Sequence, residues 1–350
     1  MSELITLPGL IDPHVHLRDP GQTHKEDFFS GTSAALAGGY TTVLDMPNNS
    51  EPITTLERLE AKRQIASQKA VSDIGFHFGT LGDNFAEFAQ VIDQVMGLKI
   101  YLNVTTGGFV IDKDKLLAIY EAWPGIKPIL LHAEEDVSDL VMTVLRATKK
   151  PTHMCHVSSS KELQFVMEAK DAGLPITCGV TPHHLFLTDE DAARLGPYGH
   201  MKPFLKSQAE QDFLWDHLDY VDVIESDHAP HTKVEKNSDN PPFGVPGLET
   251  TLPLMLTAEA EGKLTRRQLL ERLHYNPARI FNLLTDDATH IEVDMTEYEV
   301  KNEDLLTKAG WSPFAGRRVV GKVKKVVLRG QTVFENGRVL ATPGSGRILA

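Results

Sequence analysis

Cysteine is almost missing from this chain: Cys155 and Cys178 are the only two among 350 residues. That excludes a disulfide framework and suits a reducing compartment. Positive charge is also in short supply. There are 35 Lys and Arg against 48 Asp and Glu, giving a formal net charge of −13. A chain so acidic is not built to hold nucleic acid or an anionic membrane surface, and an anionic substrate would need a local positive site. No apolar run is long enough to span a bilayer. The opening Met-Ser-Glu-Leu-Ile-Thr-Leu-Pro lacks the basic and apolar regions of a signal peptide, so the expectation is a cytoplasmic protein. With 41% hydrophobic and 24% charged residues, there is material for a sizeable core, in one large domain with an appendage or in two ordinary ones.

What the chain does have is concentrated in Leu10-Ile11-Asp12-Pro13-His14-Val15-His16-Leu17-Arg18. An apolar strand ends in two histidines that alternate with valine, and a period of two points both imidazoles to the same side. Two neutral imidazoles on one strand face make a half-site for zinc or another borderline divalent ion. Arg18 continues the alternation and sets a fixed cation beside it. A metal next to a guanidinium suggests hydrolysis of a molecule that carries a carboxylate.

Short apolar, β-branched runs recur at 7–16, 40–47, 74–80, 98–102, 128–132, 153–157, 176–181 and 221–227. Helix-patterned stretches separate them, such as 55–71, where Leu56, Leu59 and Ile65 space an apolar face and Thr54 or Thr55 caps the start. Strand–helix alternation implies parallel pairing with right-handed crossovers, and eight such runs predict an α/β fold, a closed (β/α)8 TIM barrel. The C-terminal ends of these runs repeatedly carry reactive groups: His14 and His16, Asn48 and Asn49, Lys99, His132, His156, His183 and His184, and Asp227. Barrel enzymes assemble their sites at that rim. The barrel is expected to occupy 7–285, with 286–350 as a small β-rich domain packed on it. Asn336-Gly337 reads as a hairpin turn there, and Arg317, Arg318, Lys322, Lys324 and Lys325 as a solvated basic face. Residues 233–246, rich in Pro, Asn and Ser, read as a long rim loop.

Assembled in order, these residues resemble the binuclear amidohydrolases, and more narrowly the dihydroorotases, nearest the dihydroorotase domain of the animal multifunctional pyrimidine-synthesis protein. The resemblance runs through Asp12–Gly21, Met46-Pro47-Asn48, Gly97–Asn103, Leu131-His132-Ala133-Glu134, His153–Val157, Thr181–Leu187, Ser226–His231 and Pro246–Thr250. It implies two Zn2+ ions per chain. His14, His16 and Asp227 would bind the more buried ion and His132 and His156 the second, with a carboxylated Lys99 bridging both. A buried lysine loses its proton readily, and the neutral amine is what reacts with carbon dioxide. The implied reaction is the reversible cyclisation of N-carbamoyl-L-aspartate to L-dihydroorotate, driven by a hydroxide bridging the ions, with Asp227 as general acid and base. Arg18, Asn48 and His231 would hold the substrate carboxylate, Pro246 and Gly247 would add backbone contacts, and a homodimer is the expected assembly.

The chain also departs from that pattern. Lys202 stands where the animal domain has an arginine, keeping charge but losing the planar fork. Gly179 replaces a glutamate after Cys178, which puts in doubt any third metal using that carboxylate with Cys155. In the segment 103–109, which matches a mobile active-site loop, Thr105 is the expected substrate contact and Gly107 and Gly108 the hinges. Two rivals stand beside the main reading: a hydantoinase, dihydropyrimidinase or allantoinase on the same metal scaffold, and an inactive relative that scaffolds aspartate transcarbamoylase. Arg18 and Asn48 count against the first, and the complete ligand set counts against the second.

Overall fold

The computed structural model describes residues 4–105 and 108–350. Its first surprise is that the expected strand 7–16 is two strands in two sheets. Gly9 alone separates β1 (Leu4–Pro8) from β2 (Leu10–Val15). Glycine is needed at the break because a Cβ on Gly9 would lie 2.4 Å from Thr41 Oγ1.

From β2 onward the chain builds the barrel. β3 (Tyr40–Asp45), β4 (Asp73–Gly79), β5 (Gly97–Tyr101), β6 (Ile129–His132), β7 (Thr152–Met154), β8 (Ile176–Val180) and β9 (Val223–Ile224) follow β2 side by side in sequence order. Every neighbouring pair is parallel. The circle closes where Val15 bridges His228 in parallel, with the His16 N–H donating to the His228 carbonyl at 2.8 Å. Helices cover the outside. One runs over Leu56–Lys69, and of the two candidate caps it uses Thr55, whose hydroxyl accepts the Arg58 N–H. β7 and β9 are shorter than the apolar runs that announced them. His156 and Asp227 take φ of +38° and +43°, conformations that leave the strand ladder, so both reactive residues stand just beyond it.

Most of the apolar core lies between strands and helices, where strands such as β5 are buried on both faces. A second cluster, Leu44, Met46, Met96, Leu130, Cys155 and Phe281, is distinct from it. Leu130 precedes His132 by two residues and so shares its face. The site thus stands on an apolar floor inside the barrel.

The small sheet is antiparallel, in the order β1, β10 (His290–Glu299), β11 (Arg318–Leu328), β12 (Gln331–Glu335), β13 (Arg338–Val339). Asn336 and Gly337 have φ of +49° and +81°, as the two-residue hairpin required. β10 was hidden in the sequence by its acidic residues. Those residues answer the basic cluster: Lys325 reaches Glu292 at 3.5 Å and Lys324 reaches Asp294 at 3.6 Å across the β10–β11 pair. The basic face is therefore paired across strands, and Arg317 lies over the Phe186 ring. The loop after β9 folds into a short helix at Lys233–Lys236 with a Thr232–Glu235 capping box. No helix among the described residues is long and apolar enough to cross a membrane.

Candidate metal centre

The alternation at the end of β2 does what strand geometry requires. His14 Nε2 and His16 Nε2 both face Asp227 Oδ1, at 3.3 Å and 3.0 Å. His16 Nδ1 lies 2.7 Å from Asn48 Oδ1, which fixes its proton on that nitrogen. Its other nitrogen then turns a lone pair towards a carboxylate oxygen. Two potential donor atoms for a metal thus converge on one point.

His132 ends β6 and His156 follows β7, and they meet with Nδ1 and Nε2 2.9 Å apart. Their other nitrogens, His132 Nε2 and His156 Nδ1, are buried without a hydrogen-bond partner among the described residues. Lys99, fully buried on β5, donates to Cys155 Sγ at 3.1 Å and pairs with no carboxylate among the described residues. Donor atoms of His14, His156 and Asp227 lie within 4.8 Å of one another, and so do those of His14, Cys155 and Glu225. Orphaned imidazole nitrogens and converging donors are what a metal site offers, and the residues fit one.

The electrostatics agree. Burial pushes His16 down to about 4, and it lowers His132 and His156 as well, leaving the neutral imidazoles that bind metals. His14 is pushed up to about 10, because against burial and Lys99 the charges of Asp227, Cys155 and Glu225 prevail. Asp227 is also buried, yet His14, His16 and His183 hold its carboxyl well below the usual range. A dication arriving here would displace the His14 proton and take over its role as counter-charge.

Above the histidines lies a cleft whose walls include Arg18, Asn48, Tyr101, Thr105, Lys202 and Phe243. Arg18 is buried with φ of +64°. Its Nε donates to the Pro230 carbonyl at 3.2 Å. His231 stands behind Arg18, its Nδ1 accepting from Lys25 Nζ at 3.3 Å and its Nε2 donating to the Phe243 carbonyl at 2.9 Å. Burial, with Arg18 and Lys25, holds it neutral. Lys202 lies 3.5 Å from Glu134 Oε1 and 4.0 Å from the centre of the Phe204 ring. Pro246 and Gly247 do not line this cleft but a small neighbouring cavity beside His228. Gly108 is exposed and Phe109 buried, whereas Thr106 and Gly107 fall outside the described residues.

An amidohydrolase family model matches residues 5–111. The multifunctional protein CAD of Squalus acanthias is 44% identical over 99% of this chain, which covers only 16% of that protein. The dihydroorotase of Pyrococcus furiosus is 36% identical, with 99% of this chain and 85% of that one covered. The chain belongs to the dihydroorotase family. Its architecture is shared more widely: the L-hydantoinase (dihydropyrimidinase) of Arthrobacter aurescens matches 98% of this chain and 88% of that one, with a TM-score of 0.93 and 24% identity. Amidohydrolases are generally metal-dependent, and the donor groups of this dihydroorotase family member are consistent with that.

Sequence reasoning missed several residues here. Glu225 is fully buried and touches His14, His153 and His156. Glu134 lies 3.7 Å from His132 Nε2, and Tyr101 stacks on the His132 ring. No local period marks Glu225, which follows directly on the end of β9.

Proposed function

We propose that this protein is a dihydroorotase, interconverting N-carbamoyl-L-aspartate and L-dihydroorotate in pyrimidine synthesis. One observation carries the reading. A buried guanidinium, Arg18, walls the same cleft onto which His14, His16, His132, His156 and Asp227 open. Metal donors alone would serve any cyclic amide, but the fixed cation selects a ring bearing a carboxylate.

In this reading His14, His16 and Asp227 would hold one zinc ion and His132 and His156 a second, and Lys99, carboxylated by carbon dioxide with loss of a proton, would serve as a further ligand. When bound, the ions supply Lewis acidity that acidifies water and polarises the ring carbonyl. Asp227 accepts the proton of the attacking water and delivers it to the ring nitrogen as the amide bond breaks. In the direction of synthesis Asp227 takes a proton from the carbamoyl nitrogen as it bonds to the carboxyl carbon and gives it to the departing hydroxyl, which leaves as water. Arg18 clamps the substrate carboxylate, Asn48 both orients His16 and faces the cleft, and Lys202 and Thr105 close the far wall. His231 sets Arg18 in place from behind, while Pro246 and Gly247 shape the backbone beside His228. A cytoplasmic homodimer, with an aspartate transcarbamoylase as partner, belongs to the same reading by family analogy.

The test is turnover of dihydroorotate, and of carbamoyl aspartate in reverse, by zinc-loaded protein, with hydantoin and dihydrouracil as controls. Selective turnover of the first pair is the expected result. Hydrolysis of the control rings instead would move the protein to the hydantoinases. No turnover with metal bound would make it a scaffold.

A further inference from the structure

Gly179 lies inside β8, paired with Val223 of β9. It is not among the glycines with left-handed φ, so its backbone does not call for glycine. Its neighbour does. A Cβ built on Gly179 would fall 2.5 Å from Glu225 Cδ and 2.7 and 2.8 Å from the two carboxylate oxygens. A side chain at 179 and the carboxylate of Glu225 therefore compete for one volume.

The carboxylate that fills it is placed to govern two of the site histidines. Glu225 Oε1 lies 3.4 Å from His14 Nδ1 and accepts the His156 backbone N–H at 2.5 Å. The other oxygen is 3.3 Å from His153 Nε2, and His153 is held in turn by Thr177 Oγ1 at 2.9 Å. His156 has φ of +38°, a conformation that costs a non-glycine residue free energy unless its surroundings over-determine it. An acceptor on its N–H is one such restraint. An acceptor facing His14 Nδ1 draws the proton to that nitrogen and leaves Nε2, on the Asp227 side, free to ligate.

We propose that Glu225 is a positioning residue of the metal centre, orienting His14 through Nδ1 and His156 through its backbone, and that Gly179 is its obligate spatial complement. On this view the space above Gly179 is filled by a carboxylate that arrives from the adjacent strand end. The inference rests on the proposed metal centre but not on the identity of the substrate.

The experiment reads Co2+ binding without substrate, by chelator competition and by the visible spectrum of the bound ion, together with melting of the metal-free protein. Glu225→Gln keeps the shape and removes the charge, and is expected to weaken Co2+ binding ~10–100-fold and alter the spectrum while leaving metal-free melting near that of the wild type. Gly179→Ala displaces the carboxylate and should weaken binding in the same way. The double variant Gly179→Asp/Glu225→Ala returns a carboxylate to the shared volume and should recover affinity and spectrum together. Wild-type affinity in Glu225→Gln would overturn the proposal. So would one fewer bound ion in Glu225→Gln than in the wild type, since Glu225 would then be a ligand itself. Failure of the double variant to regain affinity while melting normally would refute the spatial exchange. Were the wild type to bind no Co2+, the metal centre itself would fall, whereas a different preferred substrate would leave this result untouched.

Discussion

Asp227 and Glu225 are buried carboxylates, and so are Asp12 and Glu162, yet the two pairs behave oppositely. Asp12 accepts N–H groups from His14 and Ser226, and Glu162 accepts the N–H and hydroxyl of Ser158. Burial nevertheless pushes both up to about 7. Burial acts on Asp227 and Glu225 as well, but imidazoles face them, and both carboxyls fall well below their usual range. Backbone and serine donors do not offset burial at Asp12 and Glu162, whereas imidazoles do at Asp227 and Glu225. Carboxylate charge is thereby favoured at the rim, where a dication would use it, and disfavoured at Asp12 and Glu162.

The largest break in that contrast is to neutralise Asp227 without changing its size. Asp227→Asn should lower kcat by ~10²–10⁴-fold while much of the metal stays bound, as measured by turnover and metal analysis of one sample. Near-wild-type turnover would remove Asp227 from proton transfer. Lys99→Ala comes next. It should weaken metal binding by more than the ~10–100-fold typical of groups that merely support ligands, and added short-chain carboxylates should restore part of it. Unchanged metal content would show that Lys99 is an ordinary strand lysine.

How far the sequence revealed this arrangement depended on whether a residue repeats a local period. His14 and His16 were legible because alternation along a strand places them without knowledge of the rest of the fold. The ends of the other strands were legible because a parallel barrel gathers them at one rim, which brought His132, His156 and Asp227 into view. Glu225 was not, because its role depends on a vacancy at Gly179 on a neighbouring strand, and no one-dimensional period reports a vacancy. β1 and β10 were missed for related reasons. β1 is fused in sequence to the barrel strand that follows it, and β10 alternates acidic residues that make sense only opposite Lys324 and Lys325. The division of carboxylates into charged and neutral was equally invisible, since it is set by which imidazoles face them.

Arg18 sharpens the comparison from the substrate side, since it is the fixed cation of the cleft. Arg18→Lys keeps the charge but gives up the planar fork. Losing one charge-assisted hydrogen bond is worth about 1.5–3 kcal/mol, so KM for dihydroorotate should rise ~10–100-fold with a smaller change in kcat. An unchanged KM would mean that the carboxylate is read elsewhere. Lys202→Arg is expected to do less, lowering KM only a few-fold by the same argument, because Lys202 is already shared with Glu134 and the Phe204 ring.

The smallest effect comes from Glu162, which lies outside the cluster and tests the neutral half of the comparison. Its carboxyl titrates near 7 in the folded protein against an ordinary 4.5, with burial as the main cause. A raised carboxyl binds its proton more tightly in the folded state. Its contribution is therefore fully present below about 4.5 and is lost as pH climbs through about 7. The wild type should lose stability from this group by roughly 1 kcal/mol per pH unit at the steepest part of that window. Glu162→Gln is neutral throughout and should not. Urea unfolding of metal-free wild type and variant from pH 5 to pH 8 isolates the difference, which should grow in favour of the variant as pH rises. A difference that stays flat across the window would mean that Glu162 is ionised despite its burial, and that Ser158 alone supplies what the histidines supply to Asp227.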